Sequence, residues 1–115
     1  MAITEYDTMS AVTVGASEIS LLSGTTSLQN DTTDGVYQVF VDCANMAKAD
    51  DFTLRIYEKV LSGSTKRVVM AWSLSGAQGS VFCTPPLVLM HGWDVTLQKI
   101  AGTDRAFDAS IRQIG

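Results

Sequence analysis

Apolar residues recur at every second position through most of this chain, and this period constrains the fold more than any other feature. Phe52, Leu54 and Ile56 alternate with more polar residues, the pattern of a strand with one buried face and one wetted face. After a short turn at residues 62–65, a second alternating run extends over residues 68–74. Two such runs around a Gly/Ser turn predict a β-hairpin.

The same period continues along the chain, where clusters of Gly, Ser, Asp and Pro separate short alternating runs. These runs lie at residues 12–14, 19–21, 37–43, 93–97 and 107–111. A further run at residues 81–90 is interrupted by Pro85 and Pro86, which cannot lie inside a central strand and so predict a bend or a sheet edge. With turn signals about every 8–12 residues, the sequence predicts an all-β fold. We expect an antiparallel β-sandwich of about eight strands with a jelly-roll-like arrangement.

The length of 115 residues suits one compact domain. We predict a single sandwich domain over residues 1–115, in which residues 1–10 form an extended amino-terminal arm. The predicted core consists of the inward-facing residues of the alternating runs. These are Phe52, Leu54, Ile56, Val68, Met70, Trp72, Leu74, Trp93, Val95, Leu97, Phe107 and Ile111.

The two cysteines, Cys43 and Cys83, allow one disulfide at most. The first residues are acidic and polar, unlike the basic and then apolar start of a secretory signal. We therefore expect synthesis in a reducing compartment and interpret both cysteines as small apolar groups of the core. The sequence leaves open whether they are paired.

The net charge argues against nucleic acid as a partner. Eight Lys and Arg against twelve Asp and Glu give a net charge of −4, which argues against nucleic-acid binding because such binding needs clustered positive charge. No apolar run approaches the ~20 residues of a membrane helix. Residues 1–51 hold eight acidic residues and one basic one, whereas residues 52–115 hold seven basic and four acidic ones. These opposite charges either pair inside one subunit or steer neighbouring subunits together.

Residues suited to catalysis are scarce. His91 is the single histidine, which excludes a site with several histidine ligands. A Cys–His nucleophile pair would need Cys43 or Cys83 beside His91, and no orienting residue or oxyanion loop is recognisable near them. The glycines at positions 76 and 79 open no helix and so do not form a phosphate cradle. We predict no catalytic, cofactor-binding or metal-binding residues and no cofactor.

One group of residues is a candidate interface. Tyr57 lies on the wetted face of its predicted strand, with Arg55 and Lys59 beside it on the same side. Tyr and Arg are enriched in protein interfaces, so the patch is either a contact surface or an ordinary solvated face.

Three segments, taken together and in order, resemble small virion structural proteins of tailed bacteriophages. They are TDGVYQVFVD at residues 33–42, IYEKV at residues 56–60 and GWDVTLQKIAGTDR at residues 92–105. The resemblance implies a non-enzymatic capsid decoration or cement protein that binds the major capsid protein and stabilises the head. It also implies self-association as a homodimer or homotrimer, and a place on the capsid surface of the virion after synthesis in the host cytoplasm.

Two other functions remain open at this stage. The first is a tail or receptor-binding β module that recognises carbohydrate or a host surface. The second is an enzyme or an accessory subunit of an enzyme, for which the residue inventory offers the least support.

Overall fold

A computed structural model describes residues 2–114 of the chain. Within this range it contains nine β strands and no helix, and therefore no helix that could cross a membrane. The strands are β1 (Ile3–Val14), β2 (Ile19–Ser20), β3 (Gly35–Asp42), β4 (Asp51–Glu58), β5 (Arg67–Ser75), β6 (Val81–Cys83), β7 (Leu87–Leu89), β8 (Asp94–Ala101) and β9 (Arg105–Ile114).

The strands form two antiparallel sheets that pack face to face. The five-stranded sheet has the order β1-β9-β3-β6, and β7 pairs with β3 beyond the end of β6. The four-stranded sheet has the order β2-β8-β4-β5. Since neighbours in each sheet are mostly distant in sequence, the connections cross repeatedly from one sheet to the other. The predicted all-β sandwich with jelly-roll-like arrangement is confirmed.

The local predictions from alternation and turn residues hold. β4 and β5 form the predicted hairpin, with Phe52 opposite Leu74 and Leu54 opposite Trp72. The two prolines separate β6 from β7, and both short strands pair with β3 at one edge of the five-stranded sheet. Proline lacks a backbone N–H and thus breaks the ladder at this point.

The core lies between the sheets and consists mainly of the predicted inward-facing residues. Phe52 of β4 and Phe107 of β9 meet edge to face across the two sheets, with ring centroids 4.9 Å apart. Tyr37 and Trp93 form a second aromatic contact at 4.6 Å. Nine of the twelve predicted core residues are buried: Phe52, Leu54, Ile56, Leu74, Trp93, Val95, Leu97, Phe107 and Ile111.

Three predicted core residues on β5 are corrected by the structure. Val68 is 47% exposed and Met70 is 41% exposed, and Trp72 is only partly buried against the core. β5 is an edge strand, and the facing edge of the other sheet consists of the three-residue strands β6 and β7. Phe82 of β6 reaches Trp72, at 5.7 Å between ring centroids. Val68 lies opposite Tyr57, on the outer face, because a register shift between Ile56 and Tyr57 interrupts the alternation. Met70 lies opposite Ile56 on the inner face, but at the open edge of the sheet.

Two further expectations are corrected. Cys43 is buried as predicted, but Cys83 is exposed, and both are free thiols. Cys83 lies on β6, where its neighbour Phe82 takes the inward position facing Trp72. Residues 3–10 do not form a separate arm, because they are the first part of β1 and pair with β9; Met1 lies outside the described residues.

A buried carboxylate closes one corner of the sandwich. Asp50 accepts hydrogen bonds from Arg105 Nε at 2.6 Å, from the Ala47 N–H at 2.8 Å and from the Thr103 N–H at 3.0 Å. These contacts, the Arg105 hydrogen bond above all, lower the pKa of Asp50 to about 2. Gly102 has a φ of 93°, and a Cβ there would lie 2.7 Å from Asp50 Cα. The corner therefore requires both the carboxylate and the glycine.

The two tryptophans should differ in their contribution to stability. We expect Trp93→Ala to lower the free energy of unfolding by about 3–5 kcal/mol, because a large buried ring is removed. Trp72→Ala, which removes a partly exposed ring, should cost about 1–2 kcal/mol. Urea unfolding of both variants measures the difference, and equal losses would contradict the burial described here.

The Asp50 corner should make stability fall in acid. The folded-state pKa of about 2 is below the ordinary value of ~3.9 in an unfolded chain. The ionised carboxylate therefore stabilises the fold above pH ~4, and this contribution is lost as the pH falls from ~4 towards 2. Unfolding curves across this range should show a shallower loss for Asp50→Asn than for the wild type. The exposed Asp34→Asn variant is the control and should keep the wild-type loss.

Candidate attachment surfaces

The outer face of the four-stranded sheet holds two of the three predicted interface residues in a polar cluster. The Tyr57 hydroxyl donates a hydrogen bond to Glu18 Oε2 at 2.7 Å. Arg55 Nη1 lies 3.4 Å from the same oxygen and donates to Gln98 Oε1 at 2.8 Å. The Thr96 hydroxyl also donates to Glu18. Glu18, in the connection between β1 and β2, is thus held against the sheet by three side chains.

The hydroxyl of Tyr57 and the guanidinium of Arg55 are therefore both in contact with partners in the same chain. Burial raises the pKa of Tyr57 to about 12, and the hydrogen bond to Glu18 adds to the shift. Lys59 lies apart from this cluster, beyond the end of β4, where its side chain runs over Gly92 and its N–H donates to the His91 carbonyl at 3.0 Å. The structure brings Arg55 and Tyr57 together but not Lys59. A contact role for the three residues stays a prediction.

Some of the acidic residues of the first half of the chain form ion pairs with basic residues of the second half. Arg55 pairs with Glu18 and Arg105 pairs with Asp50. In each pair the acid comes from residues 1–51 and the base from residues 52–115. The intrachain alternative therefore accounts for part of the charge pattern.

The outer face of the five-stranded sheet carries an exposed row of apolar residues. Ile3 lies opposite Ile114, Ile114 opposite Val36, and Val36 opposite Val88. Ile3 is 69% exposed and Val88 is 77% exposed, while Ile114 and Val36 are half-buried. This apolar row spans four adjacent strands, β1, β9, β3 and β7. The sequence analysis missed it, because one residue comes from each strand and only the register aligns them.

The same outer face contains a depression of about 220 Å³ further along the strands. In its lining the guanidinium of Arg112 lies over the Phe40 ring, 3.9 Å from the centroid, a cation–π contact. Ser110 donates to Glu5 at 2.7 Å beside this pair. The depression is lined by Glu5, Thr8, Phe40, Asp42, Val81, Asp108, Ala109, Ser110 and Arg112. It thus combines an aromatic ring with carboxylates, a guanidinium and hydroxyls.

The carboxylate of Asp94 is also buried, and it connects a loop to a strand through hydrogen bonds. Asp94 is fully buried and accepts hydrogen bonds from the Ser20 hydroxyl at 2.7 Å, the Gln29 N–H at 2.9 Å and its neighbour Val95 N–H at 2.8 Å. Burial raises the pKa of Asp94. These bonds tie the long β2–β3 connection to β8. Among residues 2–114, no three His, Cys, Asp or Glu side chains are grouped as metal ligands.

Comparison with known proteins gives a likeness of fold. No protein-family model matches the sequence, and no curated protein matches it. The mitogen from Yersinia pseudotuberculosis is similar at 13% identity over 99% of this chain and 86% of that chain, with a TM-score of 0.54. At this identity the likeness extends to the β-sandwich fold alone.

Two other solved structures are similar at lower scores. Eiger TNF from S. frugiperda matches at 15% identity over 78% of this chain and 66% of that chain, with a TM-score of 0.46. The C-terminal family 22 carbohydrate-binding module of Clostridium thermocellum Xyn10B matches at 13% identity over 72% of this chain and 56% of that chain, with a TM-score of 0.44.

Proposed function

We propose that this protein is a non-enzymatic structural protein of a tailed-bacteriophage virion, a decoration or cement protein that binds the major capsid protein on the outside of the head. The observation that carries the proposal is the apolar row on the five-stranded sheet. The resemblance of three sequence segments to phage virion proteins supplies the context, and the apolar row supplies a surface by which such a protein can attach.

The apolar row has the properties of an attachment surface. Its two ends, Ile3 and Val88, expose most of their side-chain area, and contiguous exposed apolar residues mark interaction sites. The next row on the same face is polar, with Arg112 opposite both Gln38 and Glu5. An apolar centre with an adjoining polar rim is the usual anatomy of a protein interface.

A charge placed in the apolar row should weaken binding to heads. We expect Val88→Asp to reduce binding to heads assembled without this protein by more than about tenfold. The substitution removes methyl groups that attachment would bury, and it adds a carboxylate that attachment would have to desolvate. Val60→Asp is the matched control, because Val60 is 85% exposed in the turn after β4. It should bind like the wild type. Sedimentation of heads with each variant measures both.

Fractionation of the virion into heads and tails distinguishes a head protein from a tail protein. Under this proposal the protein co-purifies with heads from which the tails have been removed, and heads lacking it are less stable to heat. Full binding of Val88→Asp, or presence of the protein in the tail fraction alone, would contradict the proposal.

A second candidate function is carbohydrate recognition, as in a tail or receptor-binding module. The depression around Phe40 favours it, because the carboxylates of Asp42 and Asp108 and the guanidinium of Arg112 line it and offer hydrogen bonds to a sugar. The Phe40 ring lies under this guanidinium and supports it. Under this function the isolated protein binds members of a glycan array, and Phe40→Ala abolishes that binding. Val88→Asp, outside the depression, is the control and retains it. Absence of glycan binding by the wild type would exclude this candidate.

A further inference from the structure

The sheet edges of this protein are protected unequally. Proteins limit edge-to-edge pairing by short strands, prolines, bulges and charged residues. β1 carries Glu5 and Asp7 and has two register shifts, and Ala11 within it has a φ of 51°. β2 has two residues, and β6 and β7 have three residues each around the two prolines. Each of these edges therefore bears one of the known protections.

The free edge of β5 has protection of this kind only at its start, where Arg67 and a register shift lie. β5 is nine residues long, and among the described residues it pairs with β4 alone. Residues 68–75 of this strand include no charged residue and no proline. Val69 is 54% exposed, and Val68 and Met70 are nearly as exposed. One register shift lies near its start, between Ile56 and Tyr57 of β4.

The register shows which backbone groups face this free edge. Ser75 lies opposite Asp51, and the Gly76 N–H donates to the Asp50 carbonyl at 2.8 Å. In an antiparallel pair, hydrogen-bonded and non-hydrogen-bonded positions alternate, so Ser75, Ser73 and Ala71 direct their N–H and C=O groups away from β4. The Ser75 carbonyl accepts a hydrogen bond from the Gln78 side chain, which agrees with this direction.

We propose that a second copy of this chain covers the β5 edge, through antiparallel pairing of β5 with β5 about a twofold axis at Ala71. This arrangement places Ala71 opposite Ala71 at the axis and Ser73 opposite Val69 of the second copy. The backbone groups of Ala71 and Ser73 face outward, whereas Val69 lies at the register shift, where the alternation is interrupted. The two four-stranded sheets then form one continuous sheet. Of the two oligomers that the resemblance implies, the proposal selects the dimer.

The strand is self-complementary in this register. On the inner face, Met70 lies opposite Trp72 of the second copy at a non-hydrogen-bonded position, where side chains approach closely and a thioether contacts an aromatic ring favourably. The one charged residue of the strand, Arg67, lies opposite Ser75 of the second copy, so no like charges meet. The pairing covers the apolar side chains that the subunit alone leaves exposed, as an isologous interface requires.

A charge-reversal experiment tests the axis directly. The wild type should sediment as a dimer, at twice the chain mass of 12.3 kDa. Ala71→Lys and Ala71→Glu should each be monomeric, because each places like charges opposite one another at the axis. An equimolar mixture of the two variants should recover the dimer as a heterodimer. Rescue by mixing is specific to a pairing in which position 71 meets itself.

Val88→Lys, on the other sheet, is the control and should remain dimeric. Far-UV circular dichroism and thermal unfolding check whether each variant is folded. Ala71 is exposed in the subunit, so both substitutions should be tolerated. A monomeric or trimeric wild type, dimers of either single variant, or no dimer on mixing would overturn the proposal. The inference does not rest on capsid binding, since the oligomeric state is measured on the purified protein and head binding is measured separately.

Discussion

The contact between the two sheets is the interaction on which the rest of the structure depends. Phe52 and Phe107 meet across it at 4.9 Å, and Tyr37 meets Trp93 at 4.6 Å. Because side chains alternate between the faces of a strand, a slip of one residue in any of these strands would turn its apolar set to solvent. Burial of these rings therefore sets the register of both sheets. The same register decides which residues remain on the outer faces.

Two buried carboxylates secure the connections around this core, and their pKa values shift in opposite directions for a clear reason. Asp50 receives a guanidinium and two backbone N–H groups, and its pKa falls to about 2. Asp94 receives hydrogen bonds from neutral donors only, so burial dominates and its pKa rises. Both carboxylates are fully engaged in hydrogen bonds within the chain. Their hydrogen bonds join the connections that contain Ala47, Thr103 and Gln29 to these two carboxylates.

The proposed attachment and self-association surfaces lie on different sheets. The apolar row belongs to the five-stranded sheet, and the β5 edge belongs to the four-stranded sheet. A dimer formed through β5 would therefore leave both copies of the apolar row uncovered. Such a dimer would present two attachment sites to a repetitive surface, and linked sites raise the overall avidity without new contacts. A capsid, built from many copies of one protein, is a surface of this kind.

The sequence by itself determined the fold class, the β4–β5 hairpin and most of the core, because an alternating pattern is a local property of each strand. It also placed the break at Pro85 and Pro86. It did not determine that Val68 and Met70 are exposed. The register shift that places Val68 opposite Tyr57 and the edge position of β5 are properties of the strand pairing. Nor did the sequence determine that Phe82 faces inward while Cys83 is exposed, because this too depends on how β6 is placed in its sheet.

Only the tertiary structure decided the candidate surfaces. The apolar row takes one residue from each of four strands, so no stretch of sequence contains it. The free edge of β5 follows from the order of strands in the sheet, which is a long-range property of the fold. Strand order and register are set by cross-sheet packing between residues distant in the chain. Alternation reveals which residues prefer the inside, and packing decides which of them reach it.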